Sequence, residues 1–214
     1  MRPKSLSDEG AVFDLEAFLQ RQESPTRPWT PVTDYSRDAR RVIEGPHATL
    51  IRKIFAPIDV LDVGCGHGHL LAFLRELGVH GAGMDIQRLE GVPARFYERS
   101  ILDSVQAFPR FDLVICREVL EHLTLRQLRQ AVPHLAKLTS RYLYVTTRFC
   151  REPYHLLSVD GSDDLDPTHI TMLTKPFLRL LFVLEGLVSC PDLEVQMDWR
   201  RLGRCLVFER VGND

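Results

Sequence analysis

A chain of 214 residues, 44% hydrophobic and 26% charged, has the composition of a globular protein with a substantial core, which excludes a disordered or fibrous chain. Its formal net charge of -2 gives no global attraction to nucleic acid. No apolar run of about 18 residues occurs, so no segment is expected to span a membrane. The acid-bearing start MRPKSLSDEG lacks the apolar core of a secretory signal. Cys65, Cys116, Cys150, Cys190 and Cys205 are dispersed without a C-x-x-C pair and read as reduced thiols of a cytoplasmic protein.

In chain order, residues 1–10 are polar. Val12, Phe13, Leu15, Phe18 and Leu19 then suit a short amphipathic helix, and residues 22–36, with Pro25, Pro28 and Pro31, read as a linker or lid loop anchored by Trp29 and Tyr35. A second helix is expected over about 37–55, broken near Gly45-Pro46, bringing Val42, Ile43, Leu50, Ile51, Ile54 and Phe55 toward the first strand. Residues 1–56 thus read as an N-terminal helical extension or lid and 57–214 as the main domain. The basic clusters Arg37, Arg40, Arg41 and Arg200, Arg201, Arg204 read as solvated faces, with a nucleic-acid surface as the alternative.

The stretch VLDVGCGHG, Val60 to Gly68, organises that domain. Val60, Leu61 and Val63 read as a buried strand, and Gly64, Gly66 and Gly68 let the backbone turn tightly and approach a ligand. Leu70, Leu71, Phe73, Leu74 and Leu77 follow at helical spacing, with Gly78 placed to end the helix. Strand, glycine loop and helix present backbone N–H groups to a nucleotide-like or carboxylate-bearing group. The dinucleotide fingerprint of dehydrogenases needs glycine at the sixth position of this loop, where the chain has His69. Val79 to Asp85 reads as a second strand whose terminal carboxylate, 21 residues past Gly64, is placed to accept both hydroxyls of a ribose.

DVGCGHG resembles the first motif of class I S-adenosylmethionine-dependent methyltransferases. The resemblance covers about 57–210 and implies an α/β fold: a Rossmann-like, doubly wound, seven-stranded sheet with an antiparallel last strand. It implies S-adenosylmethionine as cofactor, its methionine part held by Gly64, Cys65, Gly66 and Gly68, its ammonium near Asp62, and its ribose on Asp85 beside Ile86. After a third strand at Ala94 to Glu98, Ser100 stands where the family commonly has an adenine-binding acid; Asp103 is an alternative, and Ile101 is the expected apolar wall. Phe111 to Cys116 reads as the fourth strand and resembles the family's fourth motif, which implies that Cys116 belongs to the cofactor site and that the residues following the strand border the methyl group.

Glu118, Glu121 and His122 follow at i, i+3 and i+4, so one helical turn would align them on one face. Two readings are open. In one, His122 bonds a backbone carbonyl and the glutamates are solvated or cap the next helix. In the other, Glu118, Glu121, His122 and His169 of DPTHIT hold a divalent metal, Mg, Mn or Zn. E-x-x-E-H with a later histidine is similar to ubiquinone-pathway O-methyltransferases and to small-RNA 3′-terminal 2′-O-methyltransferases. A helix is expected over about 124–138 with a core stripe of Leu125, Leu128, Val132, Leu135 and Leu138, kinked or restarted at Pro133. Arg141 to Thr147 reads as the fifth strand.

The aperiodic 148–169 stretch emerges where the family builds its acceptor pocket, making Arg148, Tyr154, His155 and His169 candidate acceptor contacts. Thr174 to Glu185 reads as a helix burying Phe177, Leu178, Leu181, Phe182 and Leu184, and Leu193 to Trp199 with Cys205 to Arg210 as a closing strand pair. The expected activity is methyl transfer to a small-molecule acceptor, at oxygen before nitrogen, with His122 or His169 as general base. The alternatives are 2′-O-methylation of RNA ends with a metal, a cofactor-binding module without transfer, and a nicotinamide dehydrogenase.

Overall fold

The computed structural model describes residues 37–150 and 169–212. The helix expected over Val12–Leu19, the 22–36 loop, Tyr154 and His155 lie outside the described residues. Helix α1 spans Arg37–Phe55, followed by β1 (Asp59–Val63), α2 (His69–Glu76), β2 (His80–Asp85), β3 (Phe96–Glu98) and β4 (Phe111–Arg117). A 3-10 turn at Leu120–His122 leads to α3 (Leu125–Leu138), β5 (Thr139–Thr146), β6 (Phe149–Cys150), β7 (Leu173–Thr174), α4 (Lys175–Leu184), β8 (Val188–Ser189), α5 (Pro191–Met197) and β9 (Cys205–Glu209).

Seven strands form one sheet in the order β3-β2-β1-β4-β5-β9-β8. The first five run parallel, while β9 pairs antiparallel with β5 and β8 antiparallel with β9. Strand order reverses between β1 and β4, so the carboxyl ends of those two strands flank the switch point where open α/β sheets bind ligands. Alternation along each strand sends one set of side chains to each face. Leu61, Val63, Val114, Cys116, Leu143 and Val145 pack under α3 and α4, whereas Val60, Leu113, Ile115 and Tyr144 pack under α1, α2 and α5.

Several elements differ from the sequence expectation. Helix α1 runs unbroken through Gly45-Pro46, because Glu44, His47, Ala48, Ile51 and Phe55 are buried along one side and tertiary packing holds both halves. Val42, expected inward, is 74% exposed. Helix α3 likewise continues through Pro133, anchored by a capping box in which Gln127 N–H donates to Thr124 Oγ1 at 3.2 Å and Thr124 N–H to Gln127 Oε1 at 2.8 Å. Leu125 lies at the exposed end of its stripe, and in α4 Leu178 and Phe182 are buried while Phe177 and Leu184 face outward.

The largest departure is at Leu193–Trp199, read as a strand. Pro191 in the first turn, followed by Asp192 and Glu194, starts a helix there, and the short β8 becomes the partner of β9 instead. Among the described residues no helix is long and apolar enough to cross a membrane.

Candidate active site

At the end of β1 the chain turns through Gly64, Gly66 and Gly68, all left-handed at φ 74°, 52° and 70°. Gly64 and Cys65 donate their N–H groups to the Met84 carbonyl at 2.8 and 3.3 Å, tying the loop to β2. A methyl group on Gly64 would overlap Val119 Cγ2, so only glycine fits. A methyl group on Gly66 would meet nothing within 4 Å, which leaves an open face of backbone for a ligand. Gly68 caps α2 without a side-chain cap, and the start of a helix favours negative charge.

Asp85 closes the loop from the next strand. Its Oδ2 accepts from Gly66 N–H at 2.8 Å and its Oδ1 from Ile86 N–H at 2.7 Å, while Ile86 itself is exposed. The sequence pairing of glycine loop and second-strand acid therefore corresponds to physical contact. Gly83, which sequence reasoning passed over, makes this possible: a Cβ there would meet Cys65 Sγ at 2.6 Å. Burial pushes the Cys65 thiol far above its ordinary range, and Cys116 is completely buried with its thiol also pushed up, so both are walls rather than nucleophiles.

The expected adenine side is a tight turn after β3. Ser100 N–H donates to Asp103 Oδ2 and Asp103 N–H to the Ser100 carbonyl, both at 3.0 Å, and Leu102 N–H donates to Ser100 Oγ at 3.1 Å. The Asp103 carboxylate thus shapes this turn and also faces Arg99 at 3.7 Å. Ile101 is buried in the core beneath it.

The segment after β4 departs from the one-face helix expected for Glu118, Glu121 and His122. Glu118 is left-handed at φ 52°, and only Leu120–His122 form a 3-10 turn. Glu118 therefore swings toward Arg148 and Arg204, each 3.9 Å from its Oε2. What assembles is a group of three, Glu121, His122 and His169, whose nitrogen and oxygen atoms lie within 4.8 Å of one another.

The backbone brings them together. The Glu121 carbonyl accepts from Ile170 N–H at 2.8 Å and Thr171 N–H at 3.1 Å, which seats His169 against His122 with ring centroids 4.8 Å apart. The Glu121 side chain is fully buried; its Oε2 accepts from Thr147 Oγ1 at 2.8 Å, and among the described residues its Oε1 has no hydrogen-bond partner. Burial, then repulsion from Glu118, raises its carboxyl well above the usual range. Thr147 had no sequence signal beyond its position at a strand end.

A second polar cluster, also absent from the sequence expectation, lies on the α1 face. Arg117 donates from Nη2 to Glu44 Oε1 at 3.0 Å and from Nη1 to His47 Nδ1 at 2.6 Å. The neutral His47 then carries its proton on Nε2 and donates it to the Tyr144 hydroxyl at 2.9 Å. Burial, then Arg117, pushes His47 down to about 3. An unfolded histidine takes up its proton below about pH 6.5, so the unfolded chain binds it first and stability falls as pH drops toward 3. Relative to His47→Gln, wild-type stability should fall by about 1.4 kcal/mol per pH unit between pH 6 and 4. Urea unfolding of both proteins across that range checks the slope; equal slopes would exclude a buried neutral His47.

The family described as "Methyltransferase domain" matches residues 35–188, more than half of the chain. A curated relative, the ubiquinone biosynthesis O-methyltransferase of Proteus mirabilis (strain HI4320), is 33% identical over 76 residues, which is 30% of this chain and 31% of that protein. The matched stretch thus spans under a third of that relative's length. An O-methyltransferase family protein from Burkholderia thailandensis has a similar fold, with a TM-score of 0.61 at 20% identity over 83% of this chain and 59% of that one. The magnesium protoporphyrin IX methyltransferase of Synechocystis PCC 6803, solved with bound S-adenosylhomocysteine, gives a TM-score of 0.54 at 18% identity over 91% of this chain and 93% of that one. A nicotinamide dehydrogenase is thereby set aside: with its glycine loop, second-strand acid and antiparallel β9, the chain belongs to the methyltransferase domain family, within the class I S-adenosylmethionine-dependent methyltransferases.

Proposed function

We propose that this chain transfers a methyl group from S-adenosylmethionine to a hydroxyl oxygen of a small-molecule acceptor. The observation that carries the acceptor side is the Glu121, His122 and His169 cluster at the carboxyl end of β4, beside the glycine loop. The donor side fits the residues present: Gly66 offers an open left-handed backbone, and Asp85 presents a carboxylate already oriented by two N–H groups. When bound, the donor supplies an activated methyl group on a sulfonium.

The chain's own work is then positioning and proton removal, and positioning alone can be worth several kcal/mol. Gly64, Cys65, Gly66 and Gly68 hold the methionine part, Asp62 its ammonium and Asp85 the ribose, with Ser100, Ile101 and Ile86 on the adenine side and Cys116 as a wall. His122 or His169 takes the proton from the acceptor hydroxyl.

The same three side chains, two imidazoles and a carboxylate, would suit zinc or manganese better than magnesium, and a cation there would lower the acceptor's pKa. The RNA-end reading draws on the same residues, but a net charge of -2 gives no global attraction to RNA, so the small-molecule reading stands first.

The test is a screen for S-adenosylhomocysteine release with catechols, phenols, sugars, amines and RNA 3′ ends, run with Mg, Mn, Zn or chelator. Turnover on a hydroxyl acceptor is expected, lowered about 100-fold or more in His169→Ala and Glu121→Ala. Loss of turnover with chelator would select the metal over the general base. Turnover indifferent to both substitutions would contradict both roles, and donor binding with a silent screen would favour a binding module without transfer.

A further inference from the structure

Asp62 and Arg117 leave adjacent strands on the same face. Register pairs Asp62 with Ile115 and Val63 with Cys116, so Arg117 comes level with Gly64, at the root of the glycine loop. Both side chains point away from the core that contains Val63 and Cys116 and toward α1. From α1, Glu44 and His47, one helical turn apart, meet the guanidinium at 2.9 and 2.6 Å. The chain of hydrogen bonds continues from His47 to Tyr144 at 2.9 Å and on to Cys205 Sγ at 3.8 Å. Glu44, His47 and Asp62 are all buried.

A lone carboxyl buried at such a position is driven toward its neutral form. Asp62 shows this: it is pushed up to about 7, by burial first and then by Glu44 and Asp85, with Arg117 pulling against them. Cys65 and Cys116, the other titratable groups beside it, stay protonated; Tyr144 faces Arg117, and Arg200 faces the neutral His47. A neutral acid cannot take an ammonium group in an ion pair.

We infer that Arg117, held in place by Glu44 and His47, is a positioning residue for the methyl donor: it keeps the Asp62 carboxylate charged beside the glycine loop, so that α1 completes the cofactor site. The inference rests on the donor assignment in the proposed function. Arg117 acts through Asp62 and need not touch the donor, and Glu44 serves as both its anchor and a partial counterweight to its charge.

The opposite signs of Arg117 and Glu44 make a test. Affinity for S-adenosylhomocysteine, measured by calorimetry from pH 5.5 to 8.5 at fixed ionic strength, should be level above the Asp62 ionisation step and fall as pH drops below it. In Arg117→Met the step should move up by a pH unit or more, so that binding at pH 7 is about fivefold weaker or more and the gap narrows toward pH 8.5. Arg117→Lys should bring the step back toward wild type. In Glu44→Gln the step should move down. An Arg117→Met protein weakened by the same factor at every pH, or an unmoved step in both variants, would overturn the inference and leave the donor assignment intact. Should Arg117→Met fail to fold, a Glu44→Gln step that stays put or moves up overturns it equally. Absence of binding by the wild-type protein at every pH would instead overturn the donor assignment itself.

Discussion

Asp85→Ala should weaken S-adenosylhomocysteine binding about 100-fold or more while leaving the fold intact. The carboxylate sits on the surface of the loop rather than in the core, so its loss opens no large cavity. It does hold two backbone N–H groups, of Gly66 and Ile86, in the geometry the loop needs, at 2.8 and 2.7 Å. On the proposed donor assignment it would also accept the ribose hydroxyls. Hydrogen bonds to a charged group are each worth about 1.5–3 kcal/mol, and two such bonds exceed the roughly 2.7 kcal/mol that separates a hundredfold in affinity. Asp85→Asn is the informative control, since an amide oxygen can keep one N–H partner but carries no charge. Calorimetry on the three proteins, with circular dichroism to confirm folding, checks the order wild type, Asn, Ala.

The glycines divide into two kinds, and their substitutions should separate stability from binding. Gly64→Ala drives a methyl group into Val119 Cγ2 on a backbone at φ 74°. Left-handed strain of about 1–2 kcal/mol adds to an overpacking cost of about 1–3 kcal/mol. The melting temperature should fall by about 5–15 °C. Gly66→Ala carries the backbone strain alone, because nothing stands within 4 Å of the new methyl. It should melt only a few degrees lower, yet lose most of its affinity for the donor, because the methyl fills space that the ligand uses. Thermal unfolding and titration of the two variants side by side check this inversion; equal binding by Gly66→Ala and wild type would remove the loop from the site.

Periodicity and local chemistry carried much of the architecture. The apolar run at Val60–Val63, the glycines after it and the acid at Asp85 are local signals, and each sits where its pattern implied. The apolar run Phe111–Cys116 and the β-branched and aromatic stretch Arg141–Thr147 likewise mark two central strands. Failures occurred where distant contacts decide. Pro46 and Pro133 break nothing because buried side chains on either side bind their helices to the sheet. Leu193–Trp199 had enough apolar residues for a strand, but Pro191 and the buried Glu194, gripped by Lys175 at 3.1 Å and Arg179 at 2.6 Å, settle it as a helix.

The candidate site follows the same division. His169 was found from a motif, but what seats it is a pair of backbone bonds to Glu121 that no side-chain pattern announces. Glu118 looks equivalent to Glu121 by spacing, but its left-handed backbone leaves it outside the group that Glu121 forms with His122 and His169, while its charge still acts on Glu121. Glu44, His47 and Arg117 drew no attention because they come from two segments about 70 positions apart, and charged residues at those places ordinarily face solvent. Burial is the observation that turned them into a unit.

A donor pocket built on Gly64, Gly66, Gly68 and Asp85 underlies every functional step proposed for this chain. Calorimetric titration of the wild-type protein with S-adenosylhomocysteine, paired with a thermal shift, reads that pocket without any knowledge of the acceptor. One saturable equivalent bound with measurable heat and a raised melting temperature is the expected result. No heat and no shift between pH 6 and 8.5 would contradict it.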